Sequence, residues 1–176
     1  MEHLTHPSLS PEFADDIITV LVRHSENNDY SLPLAYFHSV QPVLKTSEAL
    51  ELLFGALART DVGEAFYFTR KYPDAAREQL FQQLIASVLN GSGSQDAATR
   101  ASDLVSLPLD EPEEAIFLEY LTTGDGRKSK RTKDILTMRR VVTGNYADAM
   151  SEKNLGVLWA TVLQGAKPGM GGRKGL

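Results

Sequence analysis

The sequence predicts an all-α fold of about ten helices arranged as stacked helical hairpins, an α-solenoid-like architecture. Two observations carry that expectation. Apolar residues recur at three- and four-residue spacing through most of the 176 residues, and proline, glycine or a capping residue breaks the pattern at hairpin-length intervals. No segment shows sustained strand alternation; the short apolar run IITVLV at 17–22 fits a strand or a helix, and the flanking helical stripe favours the helix.

In order, Ser10 followed by Pro11 opens the first helix, with Phe13, Ile17, Val20, Leu21 and His24 as its apolar stripe. Ser31 opens a second over Leu32 to Val40, closed near Pro42. A third runs from Thr46 or Ser47 to Ala58 and buries Leu50, Leu53, Phe54 and Leu57. Asp61 precedes Glu64 by three, a capping-box spacing that starts a helix through Ala65, Phe66 and Phe68, ended by Pro73. Asp74 starts the strongest helix, with Leu80, Phe81, Leu84, Ile85, Val88 and Leu89 on one face.

The segment NGSGSQ at 90–95 reads as a flexible loop. A weaker helix over Asp96 to Ser106 stops before Pro108. Asp110 and Glu113 repeat the cap spacing and open a helix holding Ala115, Ile116, Leu118, Tyr120 and Leu121. Past Gly124 and Gly126 a basic stretch leads into Ile135, Leu136, Met138, Val141 and Val142. Gly144 suits a left-handed C′ position. A short helix through Tyr146, Ala149 and Met150 and a last one over Leu155 to Leu163 complete a single domain, 1–165. A glycine-rich tail follows, 166–176. DVGEAFYFTR at 61–70 and GNYADAMSEK at 144–153 hint weakly at an internal repeat.

Composition narrows the function. Apolar residues are 42% and charged residues 23%, an ordinary globular balance. With no cysteine, disulfides, thiolate zinc sites and cysteine nucleophiles are excluded, which suits cytosol or nucleus. No run is long and apolar enough to span a membrane, and the N-terminus does not read as a secretory signal. The net charge of −5 is asymmetric: residues 1–120 carry 7 basic and 19 acidic side chains, residues 121–176 carry 11 and 4. Such a split suggests two surfaces with different partners, or halves that attract.

Catalytic templates fail in turn. GDGRKS at 124–129 has Arg127 where a phosphate loop needs glycine, and GMGGRKGL near the end has no Ser or Thr after Lys174. His3 and His6 lack a third metal ligand. His24 reads as a helix-end residue and His38 as a partly buried packing residue. The pairs Asp15–Asp16, Asp110–Glu111 and Glu113–Glu114 are sequence neighbours that do not face each other on a helix; their place near helix starts explains them. No catalytic, cofactor-binding or metal residue is assigned, and no small-molecule substrate is expected.

The basic stretch carries the one candidate contact surface: Arg127, Lys128, Lys130, Arg131 and Lys133, with Arg139 and Arg140 beyond. It reads as a solvated helix start, a dock for an acidic protein, or a contact for nucleic-acid phosphates or a nuclear localisation signal. Cations at a helix N-terminus oppose its dipole, so helix stability does not explain them.

Three segments together carry a resemblance: DVGEAFYFTRKYPDAAREQLFQQLIASVL at 61–89, EEAIFLEYLTTGDGRKSKRTKDILTMRRVVTGNYADAM at 113–150, and LGVLWATVLQG at 155–165. The chain resembles the ELYS-like nuclear pore assembly family in its short fungal form, over roughly 40–150. The resemblance implies a solenoid-type helical domain and a scaffold role in the Y-shaped outer ring. It implies nucleoporins of the short arm as partners, residence at the nuclear envelope, and no catalytic set. Animal members also bind chromatin through a long C-terminal region. GGRK at 171–174 lacks the Arg-Gly-Arg-Pro centre of an AT-hook, which puts that property in doubt here.

Overall fold

The computed structural model describes residues 13–91 and 95–146. Every regular element among them is helical: α1 Ala14–Arg23, α2 Ser31–Val40, α3 Ser47–Thr60, α4 Val62–Thr69, α5 Asp74–Leu89, α6 Gln95–Val105, α7 Glu111–Thr122 and α8 Thr132–Val142. Short 3-10 turns cover Glu26–Asn28 and Asp125–Lys128. The chain divides into two compact units, Met1–Ser129 and Lys130–Leu176. The Ser10–Pro11 start, the expected helices through Ala149 and over 155–163, and the glycine-rich tail lie outside the described residues.

Within the first unit the helices pack in two interleaved rows. Successive odd helices touch (α1 with α3, α3 with α5, α5 with α7), and α4 touches α6. Each also packs on a sequence neighbour, as α3 does on α2 and α4. This is how helical hairpins stack: one helix alone exposes its apolar stripe, and two neighbours are needed to cover it. Phe54, Leu53 and Leu57 of α3, Phe66 of α4 and Phe81, Leu84 and Ile85 of α5 are all essentially inaccessible to solvent. Leu104 of α6 and Phe117 of α7 continue that core.

Helix starts follow their capping chemistry. The Thr46 hydroxyl accepts from the Ala49 N–H, and the Asp61 carboxylate accepts from the Glu64 N–H at 2.8 Å. At α7 both arms of a capping box are present: Asp110 Oδ1 accepts from the Glu113 N–H at 2.9 Å, and Glu113 Oε2 accepts from the Asp110 N–H at 3.0 Å. At α4 only one arm forms. The Asp61 N–H already donates to Leu57 O at the end of α3, and Glu64 reaches His38 instead.

Two stripes differ from the expected ones. In α1 the buried face is Ala14, Ile18 and Val22, whereas Phe13 and Val20 are more than half exposed. The helix is rotated by about one residue, roughly 100°, from the expected stripe. In α7 the buried face is Glu113, Phe117 and Leu121, while Leu118 and Ala115 are exposed. Both segments carry apolar residues round more than half of the helix, so periodicity alone admits two solutions. The α5 stripe is buried residue for residue as expected.

In the second unit α8 ends in a Schellman motif. Gly144 has φ +78°, its N–H donates to Val141 O, and the Asn145 N–H donates to Arg140 O at 2.8 Å. The expected left-handed glycine therefore stands where the sequence puts it.

Candidate partner-binding surfaces

The cations of the basic stretch differ in exposure. Arg127 and Lys128 close the 3-10 turn of the first unit and are exposed; Lys128 faces Asp125 at 3.1 Å. In the second unit Lys130 and Lys133 are exposed and Arg131 is half-buried at the N-cap of α8. Arg139 is buried and Arg140 half-buried, and Arg131, Arg139 and Arg140 all have interaction partners. Arg139 and Arg140 sit in the last turn of α8, where a cation favours the helix dipole, and Lys133 shares the first turn with Asp134. The exposed cations of the stretch are thus Arg127, Lys128, Lys130 and Lys133, with Lys128 ion-paired to Asp125.

Two apolar surfaces were not read as surfaces from the sequence. The first is the outer face of α1, where Phe13 and Val20 are exposed and Ile17 is half-buried at the same helical spacing. The second is a groove of about 470 Å³ where the end of α2 and the following loop meet α4. Phe37, Phe68 and Tyr72 form its aromatic floor: Phe37 meets Phe68 edge-on at 5.9 Å, and Phe68 meets Tyr72 at 5.3 Å. Val43, 81% exposed, stands on the rim. Gln41 takes a left-handed conformation, φ 48°, and turns the chain out of α2. His38 is exposed and 3.3 Å from Glu64, so it is a rim group and not the packing residue expected. Burial holds the Tyr72 phenol above its ordinary pKa. Aromatics with one wet end are common at protein contacts, because they give area at small entropy cost.

The strongest polar feature is structural. Arg70, just past α4, donates from Nε to Glu113 Oε1 at 2.9 Å and from Nη2 to Glu113 Oε2 at 2.7 Å. Nη2 also donates to Pro108 O at 3.0 Å, and the guanidinium lies 4.5 Å from the Phe66 ring centre. Glu113 is 2% exposed. Burial alone drives its pKa up; the hydrogen bonds from Arg70 and Asp110, then the charges of Arg70 and Arg77, drive it down and win. The carboxylate read in sequence as a helix-start anion therefore also anchors α4 to the α6–α7 turn. Asp15 behaves similarly: it accepts from the Lys45 and Thr46 N–H groups at 3.0 and 2.7 Å and ties α1 to the start of α3. His24 is a helix-end group as expected, with Nδ1 2.9 Å from Val20 O.

Among the described residues no three His, Asp or Glu side chains gather where they could hold a metal ion. No described helix is long and apolar enough to cross a membrane. A family model described as ELYS, nuclear pore complex assembly, matches residues 1–124. That span takes in α1 to α7 and stops before the basic stretch. No curated protein and no solved structure matches the chain.

Proposed function

The chain belongs to the ELYS family of nuclear pore complex assembly proteins, and from that premise we propose that it is a structural scaffold subunit of the pore's outer ring, the Y-complex. It acts by binding other nucleoporins of the short arm in pore assembly and nucleocytoplasmic transport, at the nuclear envelope, with no cofactor and no reaction of its own. One observation carries the reading. The family match spans α1 to α7, which supports reading that stack as the scaffold element. The interleaved rows support an α-solenoid reading of that stack, within the single domain 1–165 that the sequence suggests. The aromatic groove beside Val43 and the outer face of α1 supply apolar contact area. The partner interface buries over ~1,000 Å², the usual minimum for a specific complex.

Affinity purification of the tagged chain from its own cells, with mass spectrometry, tests this. Outer-ring nucleoporins co-purify with the native chain and are reduced with Val43→Asp, whose exposed position leaves the fold unchanged. If no nucleoporin is recovered, the scaffold reading fails.

A second reading rests on the exposed cations Arg127, Lys128, Lys130 and Lys133: an adaptor that contacts nucleic acid or chromatin through 127–140. Its affinity falls steeply with salt as counterions are released. A gel shift that survives changing Arg127, Lys128, Lys130, Arg131 and Lys133 to Gln removes it.

A further inference from the structure

The first unit is strongly acidic, with 9 basic against 20 acidic side chains over residues 1–129. In such a unit an arginine readily finds a carboxylate. Arg23 pairs with Glu48, Arg70 with Glu113, and Arg77 with Asp74. Arg59 and Arg100 do not. Arg59 donates from Nη1 to the Tyr30 hydroxyl at 2.7 Å and lies 5.8 Å from that ring's centre. Arg100 donates from Nη2 to Ala58 O at 2.6 Å and to the Ser87 hydroxyl at 2.9 Å. Every one of these acceptors is neutral. The Arg100 Nε is buried without any hydrogen-bond partner.

Both arginines line one cleft of about 720 Å³, set between the 3-10 turn 26–28, α3, α5 and the start of α6. Its other polar walls include Asn27, Asn28 and Gln83. Asn27 and Asn28 both have positive φ, 53° and 59°. Asp96 is the sole carboxylate among the described lining residues. Burial pushes the Arg100 guanidinium below its ordinary pKa; Asp96 opposes this and Arg59 reinforces it. Two like charges thus face one recess, Arg100 half-buried and Arg59 exposed, with Asp96 as the one carboxylate beside them.

We propose that this cleft binds a carboxylate-bearing segment of a partner protein, with Arg59 and Arg100 holding an Asp or Glu side chain between them. Guanidinium groups hold carboxylates through charge-assisted hydrogen bonds, and one incoming carboxylate together with Asp96 balances the two cations. Its amide side chains, Asn27, Asn28 and Gln83, offer donors and acceptors for a peptide backbone. A protein segment fits better than a mononucleotide, because the only aromatic group tied to either arginine, Tyr30, is 7% exposed and offers no open face for a base. The site is distinct from the aromatic groove and from the basic stretch, so its failure leaves the scaffold reading intact.

The test titrates hexaglutamate into the full isotope-labelled chain and follows the arginine Nε–Hε resonances by NMR. The expected result is saturable shifts of Arg59 and Arg100, with Arg77 unmoved. Arg59→Gln and Arg100→Lys each weaken binding at least tenfold, and Lys71→Gln leaves it unchanged. Hexaglutamine gives no shift. Should Arg100→Lys disturb the fold, as its bond to Ala58 O allows, Arg59→Gln alone decides. Shifts spread equally over Arg23, Arg77 and Arg127, or full binding by Arg59→Gln, overturn the proposal. Inorganic phosphate that displaces the peptide at equal charge concentration also overturns it, in favour of a simple anion site.

Discussion

Replacing Glu113 by Gln keeps the side chain's shape and removes its charge. Glu113 accepts two hydrogen bonds from Arg70 and one from the Asp110 N–H, at 2.7–3.0 Å, with 2% exposure. Gln retains one acceptor oxygen and turns an NH2 group towards a donor. Removing one partner of a fully buried pair costs about 3–5 kcal/mol. Arg70 is 33% exposed, so water takes up part of its charge, which lowers the expectation to about 2–3 kcal/mol. At roughly 4 °C per kcal/mol for a unit of this size, the melting temperature falls by about 8–12 °C. A cycle of Arg70→Ala, Glu113→Gln and the double variant, by urea unfolding at pH 7, isolates the coupling. The pH arm has a fixed sign. The folded-state pKa of Glu113 is depressed, so its contribution is complete above the unfolded value and is lost as pH falls through the folded one. Wild type therefore loses more stability than Glu113→Gln between pH 7 and pH 3. A Glu113→Gln variant within about 0.5 kcal/mol of wild type at pH 7, or parallel pH curves, would refute the clamp.

Other substitutions have definite signs. Leu84→Ala, in the fully buried stripe of α5, costs about 2–5 kcal/mol by denaturant unfolding. Gly126→Ala and Gly55→Ala move in opposite directions. A Cβ at Gly126 lies 2.8 Å from the Tyr120 ring and 2.9 Å from its carbonyl oxygen, so the melting temperature falls, by about 1–3 kcal/mol of stability. A Cβ at Gly55, inside α3, meets nothing within 4 Å, so that variant gains about 0.5–1 kcal/mol in the same scan. Gly144→Ala strains a residue at φ +78° and speeds amide exchange at the end of α8, by a local cost of about 1 kcal/mol.

Much of the helical order was legible because caps and periodicity agree. The α5 stripe, the α3 start at Thr46, the full box at Asp110 and the left-handed Gly144 all follow from local chemistry. The rotation of α1 was not legible. Ile17, Ile18, Val20, Leu21 and Val22 offer two faces of similar hydrophobicity, and only packing against α2 and α3 chooses between them. The double role of Glu113 was invisible for a different reason: its partner Arg70 is 43 residues away, and a carboxylate at the third helical position already has a sufficient local explanation. The Arg59–Arg100 cleft joins side chains from helices separated by two others. A single cation in each segment gave no signal, while the dense run at 127–133 drew notice by its density alone.

The interleaving of the helix rows has a consequence for how the chain reaches its structure. Nearly all helix contacts join elements adjacent or one removed in order, so little loop entropy is lost before a contact forms. On the proposed solenoid reading, folding begins at any hairpin and spreads to the next. Arg70 and Arg100 are the exceptions, reaching across 43 and 42 positions to Glu113 and Ala58. They tie together helices separated by two others, as bolts through the stack. A chain built this way can also gain or lose a terminal hairpin over evolutionary time without rebuilding its middle.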